Sequence, residues 1–393
     1  MRNGWIGVFL IGLAGAVAGV VWAQAPRPAA ELPEVKELPN PFVFADGSAV
    51  RTADDWQRRR AELKGLFADY QYGHMPPRPQ KMTVERGAVT VDEAGKLSMQ
   101  DLTLNLEHAG KTLALHVRMY LPSKAKGKLP VVIQSSFGPR MPVPMGKFYA
   151  IFGQRGYAVA ECTFVEAAAD GKDARKGGVY ALYGDTIDCG GLMAWAWCVS
   201  RTIDALETLD TIDATKVVVT GHSRYGKASL VAGAFDERIA LTVPSHSGCG
   251  GAAPYRFIYG KSEQLHNIVG FAPYWFRPEF AQFRDQVPRL PVDQHLLLAL
   301  VAPRALLQTE GTQDAWTNPQ GSQLTHVAAK KVYEFLKAGD KISIRFRPVG
   351  HIPSNEDLLD FADHVFFGKP LSEEFGKPAY PEEKNAFAWD MPK

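Results

Sequence analysis

The stretch KVVVTGHSRYGKASLVAGA, residues 216–234, decides how this chain is read. Val217 to Val219 have the β-branched composition of a buried strand, and with no loop between them the run gives way to Ser223 and the helix formers Ala228, Leu230 and Ala232. A strand that turns this sharply into a helix holds the hydroxyl at its apex clear of the sheet. The helix start then offers backbone N–H groups and positive dipole where an oxyanion can form. The common pattern for such a corner is G-x-S-x-G; here Tyr225 occupies the second glycine position and Gly226 comes one residue later. The plain alternative is that Ser223 is an ordinary helix N-cap.

Outward from this corner, strand-like segments recur. MTVERGAVTV, LSMQDLTLNLEHAG and LALHVRMYLP read as an N-terminal antiparallel portion, and LPVVIQSSF and GYAVAECTF follow. From there strands alternate with helical stretches such as GLMAWAWCVSRTIDALETL, with further strands expected at 216–220, 239–244, 304–309 and 342–347. Short apolar strands separated by helices imply a mostly parallel sheet covered on both faces, an α/β fold. Residues 24–45 form an extended, proline-rich lead-in, and the spacing of Trp56, Leu63, Leu66 and Phe67 predicts a helix before a Gly/Pro stop. No repeat or long linker divides the rest, so residues 24–393 read as one catalytic domain with an N-terminal extension.

A serine hydroxyl is a weak nucleophile until a histidine takes its proton, and that histidine needs an acid to hold its tautomer. In the α/β-hydrolase fold the chain order is Ser, acid, His, each on a loop after a later strand. Asp314 follows the strand expected at 304–309 and His351 the strand expected at 342–347, so both arrive where that topology requires them. Glu310, nearer the end of the same strand, is the reserve acid, and Asp236 ends the helix behind the corner, where a cap is expected. His295 precedes an apolar helical run and reads as a core or capping residue. His222 reads as packing, and His246 follows its strand one crossover too early to be the base.

Composition bounds the partners. With 44 basic and 42 acidic side chains the net charge is +2, and no Lys/Arg block occurs, so nucleic acid is not expected to bind. The N-terminus carries Arg2, an apolar run from Trp5, and Val21 and Ala23 at the small positions of a cleavage site, which predicts a signal peptide over residues 1–23 and no membrane contact after cleavage. An uncleaved anchor is the alternative, since about 18 apolar residues just span a bilayer. Cys162, Cys189, Cys198 and Cys249 allow one or two disulfides in an oxidising compartment, with no pairing preferred. No CxxC pair or HExxH pattern appears, so no metal is expected.

Around these residues the chain resembles the glucuronoyl esterases, carbohydrate esterase family 15, and its bacterial members more than the fungal ones. GHSRYGKA is similar to that family's G-[CH]-S-R-x-G-K signature, and the likeness runs through YALYGD, GGLMAWAWCVSR, SGCGGAAPYR, FAPYWF, VDQHLLLALVAPR and DAWTNP, most of residues 40–370. The resemblance implies an α/β hydrolase that cleaves the ester between glucuronic acid on xylan and a lignin alcohol. It implies that Ser223 is the nucleophile, His351 the base, Arg224 the cation polarising the ester oxygen, Lys227 and Glu263 ligands of the sugar hydroxyls, and Trp316 an aromatic that packs on the sugar. Many members carry a glutamate acid in a loop reading S-G-E-G-G. That position is Cys249 here, in SGCGG, so the acid falls to Asp314 in QDAW. Fungal members have a cysteine before the nucleophile; His222 replaces it, so their neighbouring disulfide is not expected.

Each assignment has a plainer counterpart: Arg224 and Lys227 as solvent-facing residues of a first helical turn, Trp316 as core, Glu263 as a surface carboxylate. The expectation is a serine esterase of glucuronic acid esters needing no cofactor, exported to the periplasm or medium as a monomer. An acetyl or feruloyl xylan esterase of the same fold is the alternative enzyme, and a degenerate hydrolase serving as a sugar-binding protein is the alternative from another class.

Overall fold

The computed structural model describes residues 26–392 apart from 93–95, 126 and 136–145. The expected signal peptide therefore lies outside the described residues. Among the described residues no helix is long and apolar enough to cross a membrane.

Among the described residues nine strands build one sheet: β1 (Lys81–Asp92), β2 (Leu97–His108), β3 (Lys111–Pro122), β4 (Leu129–Ser135), β5 (Ala158–Cys162), β6 (Ile212–His222), β7 (Ile239–Ser245), β8 (Ala305–Gly311) and β9 (Ile342–Arg347), in the order β1-β2-β3-β5-β4-β6-β7-β8-β9. β1, β2 and β3 pair antiparallel, and β3 joins β5 in the same sense. From β5 onward every pairing is parallel. This is the mixed, mostly parallel sheet of an α/β hydrolase. The strand order reverses between β4 and β6, so a crevice opens at their carboxyl ends, the usual ligand position in such sheets.

Why the central strands are unbroken apolar runs is visible in their two faces. Val131, Ile133, Val217 and Val219 enter a core with Trp56, Leu63 and Phe67 of the helix Ala53–Phe67 and with the helices Gly191–Leu206 and Arg224–Phe235. Their neighbours Val132 and Val218 point the other way, with Leu241 and Val243, onto Tyr149 and Phe152 of the helix Gly146–Gln154 and Leu358, Leu359 and Phe361 of the helix Asn355–Phe367. Side chains alternate across a strand, so a strand covered on both faces buries successive residues and favours apolar ones at each. β2 and β3 have one buried stripe instead. Leu102, Leu104 and Leu106 lie opposite Val117, Leu115 and Leu113.

The first helix starts on a capping box, Thr52 with Asp55, and its continuation through a π turn stops at Gly73, whose φ is 76°. A Cβ there would come within 2.4 Å of Cys189 Cα, so no other residue fits this crossing without displacing it. The lead-in is tied down: Val35 N–H donates to Pro288 O and Leu38 N–H to Ala386 O. The four cysteines are all buried, and no disulfide joins any two of them.

Candidate active site

At the end of β6 the backbone of Ser223 turns to φ 60° and ψ −125°, a left-handed conformation that costs a non-glycine residue about 1–3 kcal/mol. Its side chain makes no cap bond to the helix it precedes, so the plain N-cap reading does not hold. Instead its N–H donates to Ser245 O, and its carbonyl accepts from Lys227 N–H to open the helix. The departure from G-x-S-x-G has a steric explanation. A Cβ on Gly221 would stand 2.3 Å from Tyr225 O, and one on Gly226 2.8 Å from Ser245 O, so these two glycines are the ones the close crossing needs. Tyr225 is freed to pack, its ring 5.4 Å from that of Trp195 and 5.9 Å from that of Phe164.

Asp314 and His351 come together. His351 Nδ1 donates to Asp314 Oδ2 at 2.6 Å. Backbone bonds stitch their loops to each other: Thr312 N–H to Arg347 O and Gln313 N–H to Val349 O. Burial, the largest influence on Asp314, pushes its pKa up, but hydrogen bonds from His246 and His351 outweigh it and hold the carboxyl well below the usual range. With Nδ1 engaged, Nε2 is the remaining nitrogen of the partly exposed His351 ring. The ring of His222, next to Ser223, lies 4.2 Å from that of His351. Burial first, then the neighbouring His351 and His246, lower the His222 pKa to about 3, which keeps that ring neutral beside His351.

The reserve acid is placed elsewhere. Glu310 is fully buried, and burial raises its pKa to about 8 against the smaller opposing effect of the Ser322 hydroxyl, so at neutral pH it is largely protonated. Cys249 is also buried and contributes its carbonyl, which accepts from Lys227 Nζ at 2.6 Å.

Around the helix start stands a set of cations and aromatic rings. Arg224 pairs through Nη1 with Asp170 Oδ2 at 2.6 Å, and its guanidinium lies 5.4 Å from the centre of the Trp275 ring. Asp170 also accepts from Trp275 Nε1 at 2.8 Å, so one carboxylate orients both. Lys227 is buried, its ammonium bonded to Ser247 O at 2.7 Å as well as to Cys249 O, with Glu263 at the long distance of 3.5 Å. Neither residue simply faces solvent. Glu263 is likewise buried rather than a surface carboxylate. Its N–H donates to the carbonyl of Trp316, whose side chain is half exposed and therefore not core.

Three contributors escaped the sequence reading. His246, set aside as a base, donates Nδ1–H to the same Asp314 oxygen at 2.9 Å. Asp170 and Trp275 organise the cations from loops remote in sequence. Only the place of His246, directly after β7 on the rim that carries the serine, hinted at a role. His246, Asp314 and His351 are also the group among the described residues whose metal-ligating atoms lie within 4.8 Å of one another. Here both Nδ1 atoms are engaged in hydrogen bonds to the carboxylate.

The family model for fungal glucuronyl esterases matches residues 104–337. The 4-O-methyl-glucuronoyl methylesterase of Schizophyllum commune is 36% identical over 370 residues, covering 89% of this chain and 86% of its own. The enzyme of the same name from Cerrena unicolor is 35% identical over 314 residues, 77% of this chain, but only 63% of that longer protein is covered. Among solved structures, a carbohydrate esterase family 15 glucuronoyl esterase from Caldicellulosiruptor kristjansonii superposes with a TM-score of 0.78 at 34% identity, over 92% of this chain and 99% of that one. A nine-stranded sheet with its serine elbow at the switch point and sequence likeness of this extent lead to one assignment: the chain belongs to the glucuronyl esterase family, carbohydrate esterase family 15.

Proposed function

We propose that the protein is a serine esterase that hydrolyses esters of glucuronic acid or its 4-O-methyl ether, as in lignin–glucuronoxylan cross-links, through Ser223, His351 and Asp314. The observation that carries this reading is the 2.6 Å hydrogen bond between His351 and Asp314 on the rim that presents Ser223 at φ 60°. The names of the relatives supply the acid half of the ester.

His351 Nε2 takes the Ser223 proton as Oγ attacks the C6 carbonyl, while Nδ1–H stays hydrogen-bonded to Asp314, whose carboxylate stabilises the imidazolium. The Arg224 cation and backbone N–H groups of the helix start hold the oxyanion. The alcohol leaves with the proton from His351, and water repeats the sequence to release the uronic acid. Lys227 spends two donors on carbonyls; the third, at 3.5 Å from Glu263, is the one available to a sugar hydroxyl, with Glu263 as its acceptor partner. The half-exposed Trp316 offers a flat apolar face to the ring. An acetyl or feruloyl ester would leave this set unused.

In the same reading residues 1–23 are removed on export, and residues 24–393 act as one monomeric catalytic domain in the periplasm or medium. Purified protein should cleave methyl and benzyl glucuronate and leave acetyl esters of xylose nearly untouched. A reversed preference, or turnover that survives Ser223→Ala, refutes the proposal.

A further inference from the structure

Ester hydrolysis by a triad needs one histidine on Asp314, but the structure puts two there. His246 Nδ1 stands 2.9 Å from Asp314 Oδ2, the oxygen that His351 reaches at 2.6 Å. A carboxylate only accepts, so both imidazoles donate to it. The placement of His246 is costly and enforced. Its backbone sits at φ 46°, its N–H is anchored to Thr309 O of β8 at 2.9 Å, and its side chain is buried. Gly311 makes room for the ring, since a Cβ at that position would lie 2.8 Å from His246 Cε1. A side chain held in a sparsely populated conformation against the catalytic acid is more than filler.

We propose that His246 is a positioning residue that fixes Asp314 Oδ2 and draws off part of its charge, so that the carboxylate holds the His351 imidazolium less tightly. This rests on the Ser223–His351–Asp314 reading. The titratable groups facing His246 are Asp314 from the loop after β8, His351 from the loop after β9 and His222 from β6, with ring centres 5.5 and 5.2 Å away for the two histidines. Glu310 of β8 and Lys227 are coupled electrostatically to this group through Asp314 and Glu310 respectively. All of these side chains are retained when His246 alone is replaced. Without its donor, the whole carboxylate charge falls on His351, its conjugate acid becomes weaker, and the base is protonated up to a higher pH.

The test is the pH profile of kcat/KM, whose acid limb reports the base of the free enzyme. Asparagine places its amide N–H where Nδ1 stood, whereas glutamine places it near Nε2 and leucine has none. His246→Leu and His246→Gln should move the acid limb up by about one pH unit, so that activity one unit below the wild-type midpoint falls about tenfold more than the plateau. His246→Asn should keep the limb within about 0.3 units of wild type. Labelling of Ser223 by an active-site phosphonate counts folded enzyme, and if His246→Leu does not fold, the Asn and Gln pair decides. An unmoved limb in His246→Gln, or one moved equally in His246→Asn, overturns the role. Because Ser223→Ala is assayed alongside, such a result with an inactive serine variant sinks this inference alone, and an active serine variant sinks the triad as well.

Discussion

His351 and Asp314 are 37 positions apart in the chain, yet Nδ1 of one stands 2.6 Å from Oδ2 of the other. Their loops leave adjacent parallel strands, β8 and β9, and are hydrogen-bonded to each other, so the contact is set by sheet register rather than by the two side chains alone.

Loss of this contact should be felt in kcat. Asp314→Asn should lower kcat by about 10²–10⁴-fold with KM nearly unchanged, because the amide favours the wrong imidazole tautomer. Glu310→Gln, at the reserve position, should leave kcat within about threefold of wild type. Steady-state kinetics on benzyl glucuronate checks both, and the reverse ranking would make Glu310 the acid.

Glu310 should instead be visible in stability. Its folded pKa is raised to about 8 by burial, so between the ordinary carboxylate pKa near 4.3 and 8 the folded state holds a proton that the unfolded chain has lost. Its contribution is therefore fully present below about pH 4 and declines as pH rises toward 8. Thermal melts should show Glu310→Gln gaining on the wild type steadily from pH 4.5 to pH 8. A difference independent of pH would contradict the buried, protonated state.

Asp314 has the opposite sign. Its depressed pKa makes a stabilising contribution that is present above about pH 4 and lost as pH falls further. Melts of wild type and Asp314→Asn should diverge at pH 6 and converge toward pH 2, provided the fold survives there; a constant gap would count against the carboxylate's pairing with two imidazoles.

The elbow yields a counterintuitive expectation. Tyr225→Gly writes the commoner G-x-S-x-G into the chain, but it removes a buried ring packed on Trp195 and Phe164 and should cost about 3–5 kcal/mol in denaturant unfolding. Gly226→Ala forces a Cβ against the backbone oxygens of Ser245 and Gly221 and should cost about 1–3 kcal/mol and most of the activity. If Gly226→Ala is neutral, the crossing is looser than described.

Trp316 should separate binding from folding. Its half-exposed side chain adds little to the core, so Trp316→Ala should unfold within about 0.5 kcal/mol of wild type. It should raise KM for glucuronate esters about tenfold, the loss of one stacking contact of roughly 1.4 kcal/mol. An unchanged KM would remove Trp316 from the sugar site.

The linear order of residues by itself determined the strand at 217–219, the corner at Ser223 and the presence of an acid and a histidine after the right later strands. These are local matters of composition and of short-range steric rules, and each element type follows from a handful of adjacent residues. Tertiary structure decided everything that depends on which loops meet. It gave Asp314 two imidazoles, sealed Glu310 from solvent, put Asp170 and Trp275 against Arg224, and left the four thiols without a disulfide. The physical reason is that parallel strands bring carboxyl ends together from distant parts of the chain, and a buried charge or ring takes its properties from neighbours that no sequence window contains.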